Sequence, residues 1–104
     1  MIRQVKMRYK IDDHDFGVRL DQVRRYLRAG DTVEVIVIFR GREIQRIPEA
    51  KQLLYRIVSS LRTGDDKSYP VSFVIESHPA LHGRNMKMTL IPYKEEIYED
   101  KVSS

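Results

Sequence analysis

Residues 33–43 read Val-Glu-Val-Ile-Val-Ile-Phe-Arg-Gly-Arg-Glu, and the fold prediction starts from this stretch. The β-branched run from Thr32 to Phe39 is typical of a strand. It ends in two arginines around Gly41, where the missing side chain lets the backbone turn sharply and approach a partner closely. Arginine carries a planar, permanently charged fork that matches phosphate oxygens. The stretch therefore predicts a rigid strand with an anion-binding tip, and nucleic acid is the expected anion.

Toward the N-terminus, residues 4–10 alternate apolar and basic side chains, which predicts a half-buried strand. Asp12, Asp13 and Asp15 are good N-cap and first-turn residues for a following helix, which Gly30 ends. Its apolar stripe recurs at helical spacing: Phe16, Leu20, Val23 and Leu27.

Toward the C-terminus, Pro48 suits the first turn of a second helix that ends near Gly64. Its apolar stripe consists of Ala50, Leu53, Leu54, Ile57, Val58 and Leu61. We expect a polar loop over 65–69, a third strand over 71–76 after Pro70, a connecting loop over 77–83 and a fourth strand over 85–91.

The order β-α-β-α-β-β predicts an α/β two-layer sandwich, in which two helices pack on one face of a four-stranded mixed sheet. The first two strands should be parallel and the last two antiparallel. The other face of the sheet should then show Lys6 and Arg8 beside Ile36 and Ile38. Such a face is either a docking surface or an ordinary exposed face with scattered apolar residues.

Composition limits the function. The chain of 104 residues fits one domain, and without cysteine it has no disulfide or thiolate metal site. It shows no bilayer-spanning run and no signal peptide, so we expect a cytoplasmic protein that does not bind membranes. The net charge is +4 and that of residues 93–104 is −2, so residues 1–92 carry +6, which is compatible with nucleic acid.

No motif predicts an enzyme, a metal site or a cofactor. Residues 12–15, Asp-Asp-His-Asp, could bind a hard cation, but N-capping explains them more simply. His78 and His82 lie four apart beside Pro79 and Gly83, so we interpret them as loop histidines and not as a helical zinc pair. The sequence has neither a nucleophile–base motif nor a glycine-rich phosphate loop.

The arginines are the candidate binding residues. Arg24 and Arg28, on the first helix away from its apolar stripe, are interpreted as solvated charges. Arg40, Arg42 and Arg84 stand next to glycines at predicted strand ends, a context that favours binding. Arg46 follows the same strand end and is added to this set.

Together these pieces resemble the C-terminal domain of bacterial-type translation initiation factor three over nearly all of residues 4–92. The matching sequence motifs are Val5-Lys6-Met7-Arg8-Tyr9, His14-Asp15-Phe16, Val18-Arg19-Leu20, Gly30-Asp31, Phe39-Arg40-Gly41-Arg42-Glu43, Leu53-Leu54 and Gly83-Arg84-Asn85-Met86. The segments 6–11 and 14–15 are similar to those of cyanobacterial and plastid members of the family. The alternative to the cytoplasm is therefore the plastid stroma or another organelle.

The resemblance implies a monomer that binds the small ribosomal subunit and its rRNA, prevents premature joining of the large subunit and supports pairing of initiator tRNA with the start codon of the mRNA. The subunit-binding residues that it implies are Lys6, Arg8, Arg19, Arg25, Arg40, Arg42, Arg56 and Arg84. The alternatives are a generic RNA-binding module in small-subunit assembly and, behind it, a small nuclease that uses residues 12–15.

The domain organisation expected from the resemblance is a ribosome-binding domain over 4–92 followed by an acidic, flexible tail over 93–104. Members of the family carry an N-terminal domain on a lysine-rich helical linker, whereas this chain begins at the first strand, so we expect a truncated form. Asp21 stands where the family often has a basic residue, so this chain departs from the family pattern at that contact.

Overall fold

The computed structural model describes residues 1–64 and 70–93. The chain forms β1 (Ile2–Arg8), α1 (Asp13–Arg28), β2 (Thr32–Ile38), a 3₁₀ helix (Gly41–Gln45), α2 (Ile47–Thr63), β3 (Phe73–His82) and β4 (Asn85–Pro92). The strands form one sheet in the order β1-β2-β4-β3. β1 and β2 are parallel, and β4 is antiparallel to both β2 and β3. The predicted element order and mixed sheet are confirmed.

The hydrophobic core lies between the helices and one face of the sheet. Alternate residues of β2 (Val33, Val35 and Val37) have no exposed surface, since both neighbouring strands and the helices cover them. The predicted stripes of α1 and α2 are buried in the same cluster. The helical periodicity therefore identified the side chains that attach both helices to the sheet.

Local signals set the helix ends. The Asp12 side chain accepts a hydrogen bond from the backbone N–H of Asp15 at 2.7 Å, which caps the first turn of α1. Pro48 lies in the first turn of α2, where its missing N–H is no loss. Gly30 and Gly64, just beyond the two helices, adopt positive φ angles of 89° and 72°, which favour glycine.

The loop predicted over 77–83 is wrong, because β3 runs to His82. Pro79 is accommodated because β3 is the edge strand next to β4 in the sheet formed by residues 1–64 and 70–93. Register shifts between Ile75 and Ala80 absorb the irregularity. His78 and His82 therefore lie in a strand, and the turn shrinks to the residues around Gly83, whose φ is 62°.

Other boundaries moved by a few residues. β1 starts at Ile2 and ends at Arg8, β2 ends at Ile38, and β3 begins at Phe73 instead of residue 71. The predicted loop over 65–69 and the predicted tail, except for Tyr93, lie outside the described residues. Neither described helix has the length and apolar character needed to cross a membrane.

The sheet face opposite the helices carries the predicted mixture of basic and apolar groups. Lys6 stands beside Ile36 and Arg8 beside Ile38 in the register of β1 and β2. Ile36 is nevertheless buried, and its neighbours in register are Lys6 and Lys87, whose aliphatic stems are long enough to cover it.

A polar cluster joins three strands across this open face. Glu34 accepts hydrogen bonds from Gln4 at 3.0 Å and from Lys87 at 3.3 Å. The hydrogen bond from Gln4, together with the bond and positive charge of Lys87, holds the pKa of Glu34 below its ordinary value despite partial burial. The cluster ties β2 to both of its neighbours.

Candidate functional site

Four arginines gather at one end of the sheet. Arg8 ends β1, Arg40 and Arg42 follow β2, and Arg84 lies in the turn before β4. The register places Ile38 opposite both Arg8 and Asn85, so these three chain segments adjoin. We call Arg8, Arg40, Arg42 and Arg84 the basic rim.

Backbone contacts fix the tip of the rim. The backbone N–H of Phe39 donates to the carbonyl oxygen of Arg84 at 3.3 Å, and Arg84 Nη2 donates to the carbonyl oxygen of Gly41 at 2.8 Å. Gly41 itself has a positive φ of 55°, which starts the 3₁₀ turn. The β3–β4 turn is thereby attached to the segment that carries Arg40 and Arg42.

Glu43 lies among these cations and accepts hydrogen bonds from the Arg8 side chain and the Arg40 backbone. Its Oε2 accepts a hydrogen bond from Arg8 Nη2 at 2.5 Å, and its Oε1 accepts one from the backbone N–H of Arg40 at 2.8 Å. The bond from Arg8, reinforced by the bond from the Arg40 backbone and by both positive charges, lowers the pKa of Glu43. The carboxylate is therefore ionised at neutral pH.

An open groove of about 360 Å³ adjoins the rim between β1 and the first turns of α1. Its charged lining consists of Lys6, Arg8, Lys10, Arg19, Arg40 and Asp15. Five cations face one carboxylate, so the groove attracts anions. Its shape is open along the surface, which suits an extended polyanion better than an enclosed small ligand.

Three predicted site residues lie away from both this groove and the basic rim. Arg56, on α2, stacks over the Phe16 ring at 4.0 Å and pairs with Asp13 at 3.3 Å, so it links the two helices. Arg46 pairs with Glu49 at 3.5 Å at the start of α2. Arg25 lines a second groove on α1.

The second groove has a volume of about 370 Å³ and a mixed charge. Its lining residues are Val18, Asp21, Arg24, Arg25 and Arg28. The interpretation of Arg24 as a solvated charge is wrong, since only 2% of the residue is exposed and its Nη1 donates to Asp21 at 2.8 Å. Arg24 lies four residues after Leu20 and three before Leu27, so it shares the buried side of α1 with these two stripe residues, which the interpretation overlooked.

The alternation of apolar and basic residues over 4–10 also indicates one groove residue that the sequence analysis missed. Lys10 belongs to the same alternating run as Lys6 and Arg8, and it lines the groove with them although it was not among the predicted site residues. No sequence signal indicated the place of Glu43, because its partner Arg8 lies 35 residues away in the chain.

Three of the residues considered for metal binding have other contacts. Asp12 caps α1, and Asp13 pairs with Arg56. His78 Nδ1 lies 2.9 Å from the hydroxyl oxygen of Tyr55, at hydrogen-bond distance. Within residues 1–64 and 70–93, no group of three or more histidine or acidic side chains is arranged to hold a metal ion.

Comparison with known proteins assigns the family. A family model described as "Translation initiation factor IF-3, C-terminal domain" matches residues 1–93. This chain belongs to that family. The resemblance inferred from the arginine and glycine motifs is thus confirmed. The groove and the basic rim both lie within the residues that match the IF-3 C-terminal domain.

Curated relatives agree with this assignment. The chain is 48% identical over 93 residues to "Translation initiation factor IF-3" of a Synechocystis species, a match that covers 89% of this chain and 48% of the relative. It is 45% identical over 100 residues to the factor of the same name from a Synechococcus species, with 96% and 43% covered. A Prochlorococcus marinus relative is 42% identical over 100 residues, with 96% and 46% covered.

The chain spans about half the length of these IF-3 relatives. They are bacterial and specifically cyanobacterial, in agreement with the similarity noted in residues 6–15. Initiation factors of this family are not enzymes, so the prediction of a non-enzymatic protein is confirmed.

Proposed function

We propose that this chain acts in translation initiation by binding rRNA of the small ribosomal subunit through the cationic groove and the basic rim. By occupying that surface it prevents premature joining of the large subunit, and it supports selection of the start codon by initiator tRNA. The observation that carries the proposal is the convergence of Lys6, Arg8, Arg19 and Arg40 on one groove in a chain of the IF-3 family.

The arrangement suits a ribose-phosphate backbone. Each phosphate neutralised by an arginine or a lysine releases counterions, so several adjacent cations give an affinity that falls steeply with salt. Arg84 holds the Gly41 carbonyl, and the Arg40 backbone is bonded to Glu43, so the arginine tip is ordered before RNA arrives. Ordering in advance reduces the entropy lost on binding.

The proposed binding set keeps all the residues expected from the sequence, in three groups. Lys6, Arg8, Arg19 and Arg40 line the groove, and Arg42 and Arg84 extend it along the rim. Arg25, Arg46 and Arg56 lie outside both and contact RNA only if it continues around α1 or past the start of α2. The first two groups should therefore dominate the affinity.

The partners of this proposal are the small subunit and its rRNA, and through them initiator tRNA and mRNA. We assign this role to a monomeric domain over residues 4–92, in the cytoplasm of a bacterium or, as the alternative, in the plastid stroma or another organelle. We further propose that the acidic segment after Tyr93 competes with RNA for the basic surface.

The decisive experiment is a sucrose gradient of cyanobacterial ribosomal subunits with increasing amounts of the protein. The wild-type chain should lower the peak of joined particles at stoichiometric concentration. Arg19→Glu with Arg40→Glu should abolish the shift, because two reversed charges in the groove repel phosphate. An undiminished joined peak in the presence of folded, bound wild-type protein would contradict the anti-association role.

A control variant and an affinity comparison complete this experiment. Arg25→Glu reverses one charge on the same helix but in the second groove, so it should retain most of the shift. Equal affinity for protein-free RNA and for small subunits would instead favour a generic RNA-binding module.

A further inference from the structure

A carboxylate in the middle of a proposed phosphate-binding surface requires an explanation. Glu43 lies beside Arg8 and Arg40 and is ionised at neutral pH. A fixed negative charge at this place repels RNA phosphates. If electrostatics alone determined the affinity, the site would bind RNA more tightly without it.

The contacts of Glu43 indicate a compensating role. One oxygen accepts from the Arg40 backbone and the other from the Arg8 guanidinium, so each oxygen has its own donor. Arg8 keeps 37% of its side chain exposed, and within the described residues its buried Nε makes no hydrogen bond. Glu43 thus supplies the charged hydrogen bond that fixes the Arg8 guanidinium.

Holding a long side chain in one orientation has a thermodynamic consequence. A free arginine loses rotamer entropy at the moment it binds phosphate, whereas a fixed one has already lost it during folding. We propose that Glu43 is a positioning residue, which orients the Arg8 guanidinium toward RNA in the groove. This inference rests on the proposed RNA-binding function and extends it to a residue of the wrong charge for direct contact.

The test uses Glu43→Gln, because the amide oxygen can still accept the Arg40 N–H while the charge that holds Arg8 is removed. Binding of the chain to isolated cyanobacterial small subunits should weaken by about three- to tenfold, the cost of immobilising one arginine on binding. Electrostatics alone predicts tighter binding for this variant, since a negative charge that repels phosphate has been removed. The matched control is Glu76→Gln on the exposed part of β3, which should leave binding unchanged or slightly tighter.

Two measurements show whether Glu43 acts through Arg8. In an Arg8→Ala background, Glu43→Gln should no longer weaken binding and should behave like the Glu76 control. In the free protein, ¹⁵N relaxation of Arg8 Nε should report a rigid side chain in the wild type and a mobile one in Glu43→Gln. A retained backbone spectrum shows that the fold is intact.

Three results would overturn the inference: Glu43→Gln binds more tightly than the Glu76 control, the loss persists without Arg8, or the Arg8 relaxation does not change. The first would mean that Glu43 masks Arg8 instead of presenting it. Failure of the wild-type chain to bind subunits would overturn the proposed function itself, which separates that failure from failure of the positioning role.

Discussion

The helix-covered face of the sheet and the basic rim at its end are parts of the same strands, but different forces hold them together. Along β2, Val33, Val35 and Val37 are fully buried among apolar side chains. A few residues further, Arg40 and Arg42 are exposed, and directed hydrogen bonds to the Arg40 backbone N–H and the Gly41 carbonyl order the segment that carries them. Burial is non-directional and tolerates small rearrangements, whereas each rim contact depends on one particular partner.

This difference separates stability from binding. The core should carry most of the free energy of unfolding, because apolar burial is the dominant favourable contribution. The rim should carry affinity and little stability, because exposed ion pairs contribute little. Three variants test this separation.

The largest effect is expected in the core. Leu54 has no exposed surface, and Leu54→Ala should lower the free energy of unfolding by about 2–5 kcal/mol, since it removes buried methyl groups and leaves a cavity. Urea denaturation measures the loss. The affinity of the molecules that remain folded should be unchanged, and a specific loss of affinity at full occupancy of the folded state would break the separation.

The second effect is expected in the rim. Arg40→Ala with Arg42→Ala should weaken binding to small subunits by about 2–4 kcal/mol, at roughly 1–2 kcal/mol for each charge-assisted contact. The free energy of unfolding should change by less than about 1 kcal/mol. Titrations at two salt concentrations should show a reduced salt dependence.

The matched control for that pair is Arg3→Ala with Arg62→Ala. It removes the same charge at the opposite end of the strands, where Arg3 stacks on Tyr26 and Arg62 on Phe73. Binding should be nearly unaffected. An equal loss of affinity would show that total charge, and not the rim, determines binding.

The smallest effect is expected on the open sheet face. Because hydrogen bonds lower the pKa of Glu34 below its ordinary value of 4.5, its ionised form stabilises the folded chain at neutral pH. Glu34→Gln should cost about 0.5–1 kcal/mol there. This loss in the free energy of unfolding should remain constant as the pH falls to the ordinary pKa of Glu34. It should then disappear as the pH falls further, through the lowered pKa of Glu34 in the folded chain.

Unfolding measured against pH for the wild type and the variant tests this expectation. A difference that persists well below the lowered pKa would show that shape, and not charge, explains the role of Glu34. Glu76→Gln, whose carboxylate lies on the exposed edge strand, is the control.

Sequence patterns predicted the parts of the fold that depend on neighbouring residues. The stripes of α1 and α2, the capping by Asp12, the alternation in β1 and the β-branched run of β2 are short-range signals, and each is confirmed. The loop over 77–83 was wrong because Pro79 reads locally as a strand breaker. Only the position of β3 at the sheet edge makes that proline compatible with a strand.

The same division applies to the candidate site. The β-branched run and the motif Phe39-Arg40-Gly41-Arg42-Glu43 by themselves determined a strand with a cationic tip, because both act locally. The same motif indicated the family. Tertiary structure alone decided that Arg8 meets Glu43 across 35 residues and that Arg84 reaches Gly41 across 43. It also decided that Arg24 is buried. Such contacts depend on how the strands and helices pack together, and no short-range pattern encodes that arrangement.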